Sequence, residues 1–369
     1  MIWLARYRSL RYVAIFLLIS LPFVFIHVRN EVNFSYYLKS YGLLFSVYVF
    51  GVAFHQFVKI CKSIPVLFKH LILLNLIFLA IALLALLIPA LKDRFWYVTA
   101  VTSGMKSIPR LKMLTYEPSY YSILLVPIVT YYYLKMILLK MNNKVFFFLI
   151  LAIPLLLSLS FGVVLGLLLT FIFLFLSDIK LFSLRQQFPL YLLLGSVGLL
   201  ILFVITLQMF PNNVFFVRMA NVFEGNDNSF RGRTFDSFYL GWKIAAEKSI
   251  LFGSGPGQTK LLGLDFFKVF YDSQNFVESE IAIPDSVGDT LAVFGIVGVL
   301  IRVCVHTYFF FKTRVYANFY RLGLFIFVFI YQFTGSYLTN ISEYVIWILA
   351  FSPALFSEFD KVNVYHSNS

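Results

Sequence analysis

Ten apolar stretches follow one another along this chain, at about 11–28, 40–58, 71–91, 118–134, 145–160, 161–176, 188–209, 286–308, 322–338 and 342–357. Each approaches the ~20 residues needed to cross the hydrocarbon core of a bilayer. With 60% hydrophobic residues and 13% charged, too little polar surface remains to cover a water-soluble domain. Soluble enzymes, disordered proteins and disulfide scaffolds are excluded. The expected fold is all-α: a polytopic membrane protein of about ten transmembrane helices, residues 1–369 forming a single integral-membrane domain. Arg6, Arg8 and Arg11 precede the first apolar run as in a signal peptide, but no small-residue cleavage site follows. An uncleaved first span is therefore expected. The stretch Val145–Leu176 is too long for one upright helix, and Pro154 with the patch from Ser158 to Gly162 favours two short spans.

The formal net charge of +13 is the next constraint. With the N-terminus inside, the short inner connections hold fifteen Lys and Arg, including Lys59, Lys62, Lys69, Lys135, Lys140, Lys144, Lys180, Arg185, Lys312, Arg314, Arg321 and Lys361. The outer segments are close to neutral, so the excess reads as orientation, with both termini cytoplasmic. It does not call for nucleic acid. Arg302 lies within the eighth stretch. Two long outer segments remain, at 92–117 and 210–285, the second being the large loop between spans 7 and 8. In it, Trp242, Ala245, Ala246 and Ile250 share a helical spacing, and a short helix facing the bundle through them is expected.

Three clusters carry polar chemistry. In the first, Lys106, Arg110 and Lys112 precede Tyr116, Glu117, Pro118, Ser119 and Tyr120; Glu117 sits at a span entry, where an unpaired carboxylate is costly. Helix-end charge pairing is the alternative use of that residue. In the second, Arg231 and Arg233 flank Gly232, a pair suited to bidentate recognition of a pyrophosphate or to plain solvation at a surface. Gly253, Gly255 and Gly257 follow; lacking a preceding strand and a Gly-Lys-Ser/Thr ending, they suit close backbone packing better than a phosphate loop. In the third, Asp285 and Asp289 are one turn apart at the start of the eighth stretch, as a cap and an inward carboxylate. The five histidines show no metal-ligand spacing, and Cys61 and Cys304 are the only thiols. Neither a metal nor a cofactor is expected.

The order of these motifs, Glu117-Pro118-Ser119, then Arg231 to Trp242 with Gly253 to Gly257, then Asp285 to Gly298, resembles the Wzy-type O-antigen and capsule polymerases of the O-antigen polymerase and ligase superfamily. That resemblance implies a GT-C-like, metal-independent, inverting membrane glycosyltransferase. It would join oligosaccharide repeats carried on undecaprenyl pyrophosphate at the periplasmic face of the bacterial inner membrane. Donor and acceptor lipid-linked glycans, the bilayer and a chain-length regulator are the partners it implies. Arg233, helped by Arg231, would neutralise the leaving pyrophosphate, and Asp285 or Glu117 would take the acceptor proton. Lys106, Arg110, Lys112, Tyr116, Tyr120, Arg218, Trp242 and Asp289 complete the expected substrate contacts. Two departures from the family stand out: Asp285-Ser286 replaces the His-Asn or His-Ser pattern of ligase-like members, and Ser160-Phe161 replaces a Ser-Arg pattern. A ligase, or a flippase for lipid-linked oligosaccharides, is the rival expectation.

Overall fold

A computed structural model describes residues 7–61, 63–99, 108–139, 143–178, 228–278 and 281–368. The seventh stretch, Lys106 and Arg218 lie outside the described residues. Among the described residues, five helices are long and apolar enough to cross a membrane, and four shorter apolar helices accompany them, which marks a mainly α-helical membrane protein. The chain forms two compact units interleaved along the sequence.

The first unit comprises residues 1–62, 232–314 and 328–352. Helices α1 (Tyr7–Arg29) and α2 (Phe34–Ile60) form a hairpin, with Asn33 capping α2 by accepting from the Tyr36 amide at 3.3 Å. Phe16 stands among the rings of Tyr41, Phe45 and Tyr48, and Ser20 shares a 2.6 Å hydrogen bond with the Tyr41 hydroxyl. His27 is fully buried at the end of α1, its ring nitrogens meeting the Tyr37 hydroxyl at 3.2 Å and the Phe252 carbonyl at 2.7 Å. It ties the hairpin to the glycine-rich turn. Gln258 does the same by pairing its side-chain amide with the Asn33 backbone, 2.9 and 3.1 Å.

The second unit comprises residues 63–231, 315–327 and 353–369. It holds α3 (Ile64–Ala85), α4 (Pro89–Phe95), a hairpin of β1 (Trp96–Thr99) and β2 (Ile108–Leu111), α5 (Pro118–Leu138), α6 (Lys144–Ser158) and α7 (Phe161–Ser177). The small antiparallel hairpin is an addition to the expected all-α architecture; two four-residue strands, one containing Pro109, carry too little alternation to be read from sequence. Its Trp96 donates to the Ala82 carbonyl at 2.7 Å. The long apolar run divides as expected, at Leu159, whose φ of 47° ends α6.

Helices α8 (Asn228–Arg233), α9 (Phe235–Ala246), α10 (Gln258–Phe270), α11 (Ser286–Lys312), α12 (Phe319–Tyr331), α13 (Ile341–Ala350) and α14 (Lys361–Asn368) follow. The helix in the large loop is displaced from its expected position. It ends at Ala246 and buries Asp236, Ser237, Leu240, Gly241, Ile244 and Ala245, while Trp242 and Ala246 are exposed. The expected face through Trp242, Ala245, Ala246 and Ile250 is thus wrong. It assumed that the largest apolar residue points inward, whereas Leu240, Ile244 and Ala245 form the packed face together with Asp236, Ser237 and Gly241.

Helix α11 is broken. Gly295 adopts φ 66° and ψ −164°, a conformation essentially reserved for glycine. The break frees backbone groups that hydrocarbon cannot satisfy. The 250–255 turn supplies partners: the Ser254 and Gly255 amides donate to the Ala292 and Val293 carbonyls at 2.9 and 3.0 Å, and the Ile296 and Val297 amides donate to Ile250 and Leu251 at 3.1 and 3.0 Å. A methyl group on Gly253 would overlap the Val293 backbone, and one on Gly295 the Leu251 carbonyl. These glycines therefore serve close backbone pairing. Gly295→Ala should cost about 3 kcal/mol or more, from backbone strain plus overlap, and abolish the monodisperse species in detergent size-exclusion chromatography. Gly42→Ala, whose methyl would meet open space on α2, should leave that peak unchanged.

Candidate functional site

The polar residues of the first unit gather around the two limbs of α11, 286–294 and 296–312. A straight helix would separate Ser286 and Arg302 by about 24 Å, at ~1.5 Å per residue. Yet the Arg302 guanidinium donates to the Ser286 hydroxyl at 2.9 Å and to the Thr290 hydroxyl at 3.3 Å. The limbs must fold back sharply at Gly295 for this to occur. Arg302 also donates to the Gln332 side-chain oxygen at 2.9 Å and forms an ion pair with Glu343 of α13. Glu343 accepts from the Trp347 indole as well, at 3.2 Å, and His306 stacks on that indole with centroids 3.8 Å apart. The sequence places Arg302 inside an apolar stretch and gives Glu343 no role. An arginine in an apolar helix is itself the available signal, because it demands a buried counter-charge.

The N-terminal end of the first limb carries the carboxylates. Asp285 caps α11, one carboxylate oxygen accepting from the Gly288 amide at 2.6 Å, and it is fully buried. The other oxygen has no hydrogen-bond partner among the described residues. Burial raises its pKa to about 7 and the neighbouring Asp289 adds to the rise, against the pull of the Gly288 amide. A carboxyl group poised there exchanges a proton near neutrality. Asp289 accepts from the Leu338 amide at 3.1 Å and so anchors the segment leading into α13. Helix α9 packs against this limb at Gly241, where a Cβ would approach the Gly288 carbonyl to 2.7 Å. The approach brings in Asp236 and Ser237, both buried and neither anticipated; Asp236 accepts from the Tyr271 hydroxyl at 3.1 Å.

Arg233 ends α8 in the same unit, half-buried, with no hydrogen bond or ion pair to another described residue. Arg231 is exposed on the same short helix and falls at the edge of the second unit. Trp242 is on the exposed face of α9.

In the second unit, Glu117 caps α5 through its backbone only, while its carboxylate accepts from the Ser119 hydroxyl. No ion pair of Glu117 is found among the described residues, which do not include Lys106. Pro118 occupies the first turn, as its fixed φ favours. Arg110 donates to the Ser158 and Leu159 carbonyls, both at 3.3 Å, where a cation complements the C-terminal end of α6. Lys112 and Tyr120 are partly buried, and Tyr116 is 84% exposed. The structure thus gathers Asp285, Asp289, Arg233 and Trp242 in one unit, and Arg110, Lys112, Tyr116, Glu117 and Tyr120 in the other. Among the described residues, no three His, Cys, Asp or Glu side chains are placed to hold a metal ion.

Comparison with protein-family models, with curated proteins and with solved structures finds no match to this chain.

Proposed function

We propose that this protein is a polysaccharide polymerase of the bacterial inner membrane, a ten-span GT-C-like glycosyltransferase with cytoplasmic termini. It joins undecaprenyl-pyrophosphate-linked oligosaccharide repeats at the periplasmic face into O-antigen or capsular polysaccharide. The observation that carries this reading is Asp285: a buried carboxyl at the outer end of α11, with one unpartnered oxygen and a pKa lifted to about 7. The motif order in the sequence supplies the substrate class.

In the proposed reaction the acceptor hydroxyl gives its proton to Asp285 as its oxygen attacks the anomeric carbon of the donor. The bond from that carbon to the pyrophosphate oxygen breaks on the opposite face, with inversion. The pyrophosphate leaves as an anion, held by Arg233 with Arg231. A guanidinium whose ion-pairing edges are uncommitted to other described residues suits Arg233 to that charge.

The test is elongation of a synthetic undecaprenyl-pyrophosphate repeat by the purified protein in vesicles. Longer glycans are expected from the wild type. Arg233→Ala should lower the rate about 10²–10³-fold, and Arg233→Lys should not restore it, because a lysine is a point charge. Full-length products from Arg233→Ala at normal protein levels would remove the arginine from the mechanism. The break in α11 favours a second reading, since transporters build their sites on interrupted helices. Translocation of the lipid-linked repeat across the vesicle without elongation would establish that reading instead. Elongation absent but glycan transferred to lipid A-core or to a protein would identify a ligase.

A further inference from the structure

Ser237, on the packed face of α9, is buried and stands opposite Asp285. Two sets of contacts fix this register. Gly241 meets the Gly288 carbonyl. Beyond both helices, the Ile250 and Leu251 carbonyls accept from the Ile296 and Val297 amides, so α9 and the first limb of α11 run in the same direction. One turn back from Gly241 is Ser237, and one turn back from Gly288 is Asp285. The hydroxyl proton of Ser237 is committed elsewhere. It goes to the Gly232 carbonyl, which has no proton to give, so the serine must be the donor. Its oxygen keeps lone pairs beside Asp285, whose second carboxylate oxygen has no hydrogen bond to a described residue. Two acceptors do not bond to each other. They do so as soon as one of them carries a free proton.

We propose that Ser237 is a positioning residue for Asp285: with its own proton held by the Gly232 carbonyl, its oxygen accepts a hydrogen bond from the carboxyl group once Asp285 is protonated. The bond exists in one protonation state only and favours that state, which makes Asp285 a stronger base. During glycosyl transfer the proton of the acceptor hydroxyl moves to the free oxygen of Asp285. The Ser237 oxygen receives it as a hydrogen bond and gives up no proton of its own. The carboxyl group then returns the proton to water. This catalytic role rests on the reading of Asp285 as the base; the hydrogen bond itself does not. The same serine holds the carbonyl that precedes Arg233, so one side chain ties the segment of the leaving-group cation to the proton acceptor. Tyr271 backs that segment, its hydroxyl 3.6 Å from where a methyl on Gly232 would stand while it donates to Asp236. The other ionisable groups around Asp285 are Asp289 on its own limb, Asp236 and Tyr271, Arg233 of α8, and Arg302 of the second limb with its partner Glu343. A change at Ser237 leaves all of them in place.

The experiment is an infrared titration of the full chain in vesicles. The band of the protonated Asp285 carboxyl is assigned by its loss in Asp285→Asn. In Ser237→Ala the midpoint of that band should fall by roughly half to one pH unit, the equivalent of one lost hydrogen bond. Its carbonyl frequency should rise as the O–H loses its acceptor, and Ser237→Thr should restore both. A midpoint that rises overturns the proposal, because the serine would then have donated to the carboxylate. An unchanged midpoint overturns it too. Should Ser237→Ala fail to fold, Ser237→Cys, of similar size with a weak acceptor, decides by the same shift. In the elongation assay, kcat of Ser237→Ala should fall about tenfold with KM unchanged, and the pH limb should move with the infrared midpoint. An infrared shift with wild-type kcat overturns the positioning role. A wild type that elongates nothing removes the polymerase reading, and the infrared titration still decides the hydrogen bond.

Discussion

Asp285→Asn should stop glycan elongation while leaving the protein folded. Asparagine caps a helix about as well as aspartate, so the bond from the Gly288 amide survives and the start of α11 is preserved. What disappears is the proton acceptor, and loss of a general base typically lowers a rate about 10²–10⁴-fold. The wild-type rate should rise with pH through about 7 as the Asp285 carboxyl ionises, and the residual rate of the variant should lose that limb. The stability effect has a definite sign. A carboxyl whose folded pKa lies above its unfolded value favours folding fully below about 4, and that contribution is lost as pH rises through about 7. Thermal unfolding in detergent between pH 4 and 8 should thus show a downward slope in wild type that is reduced in Asp285→Asn. A variant that elongates glycans at the wild-type rate would dismiss Asp285 as the base. Glu117→Gln measured alongside tests the other carboxylate raised by the sequence.

The second large effect concerns the Arg302–Glu343 ion pair. Removing one partner strands a charge among apolar helices, so Glu343→Ala should cost about 3–5 kcal/mol. The double variant Arg302→Met with Glu343→Leu should regain much of that loss, because both desolvated charges are gone. Thermal unfolding of wild type, Arg302→Met, Glu343→Leu and the double variant closes the double-mutant cycle. A single variant as stable as wild type would show that the pair does not hold the limbs of α11 together. The double variant should still be slow in elongation if the Ser286 and Thr290 contacts of Arg302 keep Asp285 in place.

How much of this was legible in the sequence depends on the range of the interaction. Asp285 was readable as a cap because its partner, Gly288, is three residues away. Pro118 and the turn at Leu159 were readable for the same local reason. The role of Gly253 in close packing was also readable, since glycine is the residue that permits backbone contact. Its partner was not: residues 292–297 lie some forty positions onward, and nothing in their composition distinguishes Gly295 from Gly298. Glu343 was beyond reach likewise, forty-one residues from Arg302. The face of α9 was misjudged for a different reason. Periodicity finds apolar positions but not which of two apolar faces is packed: α9 buries Leu240, Ile244 and Ala245 and exposes Phe235, Tyr239 and Trp242.

The pairing of the 250–255 turn with the break in α11 bears on how the molecule is made. Helices such as α1 and α3 can enter a bilayer alone, since every central backbone group is satisfied within the helix. Helix α11 cannot do so in its broken form, because four of its backbone groups are satisfied only by a turn synthesised earlier. Left bare in hydrocarbon, each would cost several kcal/mol. Insertion of the break and docking of the glycine turn are therefore a single event in biogenesis. An α11 arriving before its turn would have to wait as a straight helix, or at the membrane surface.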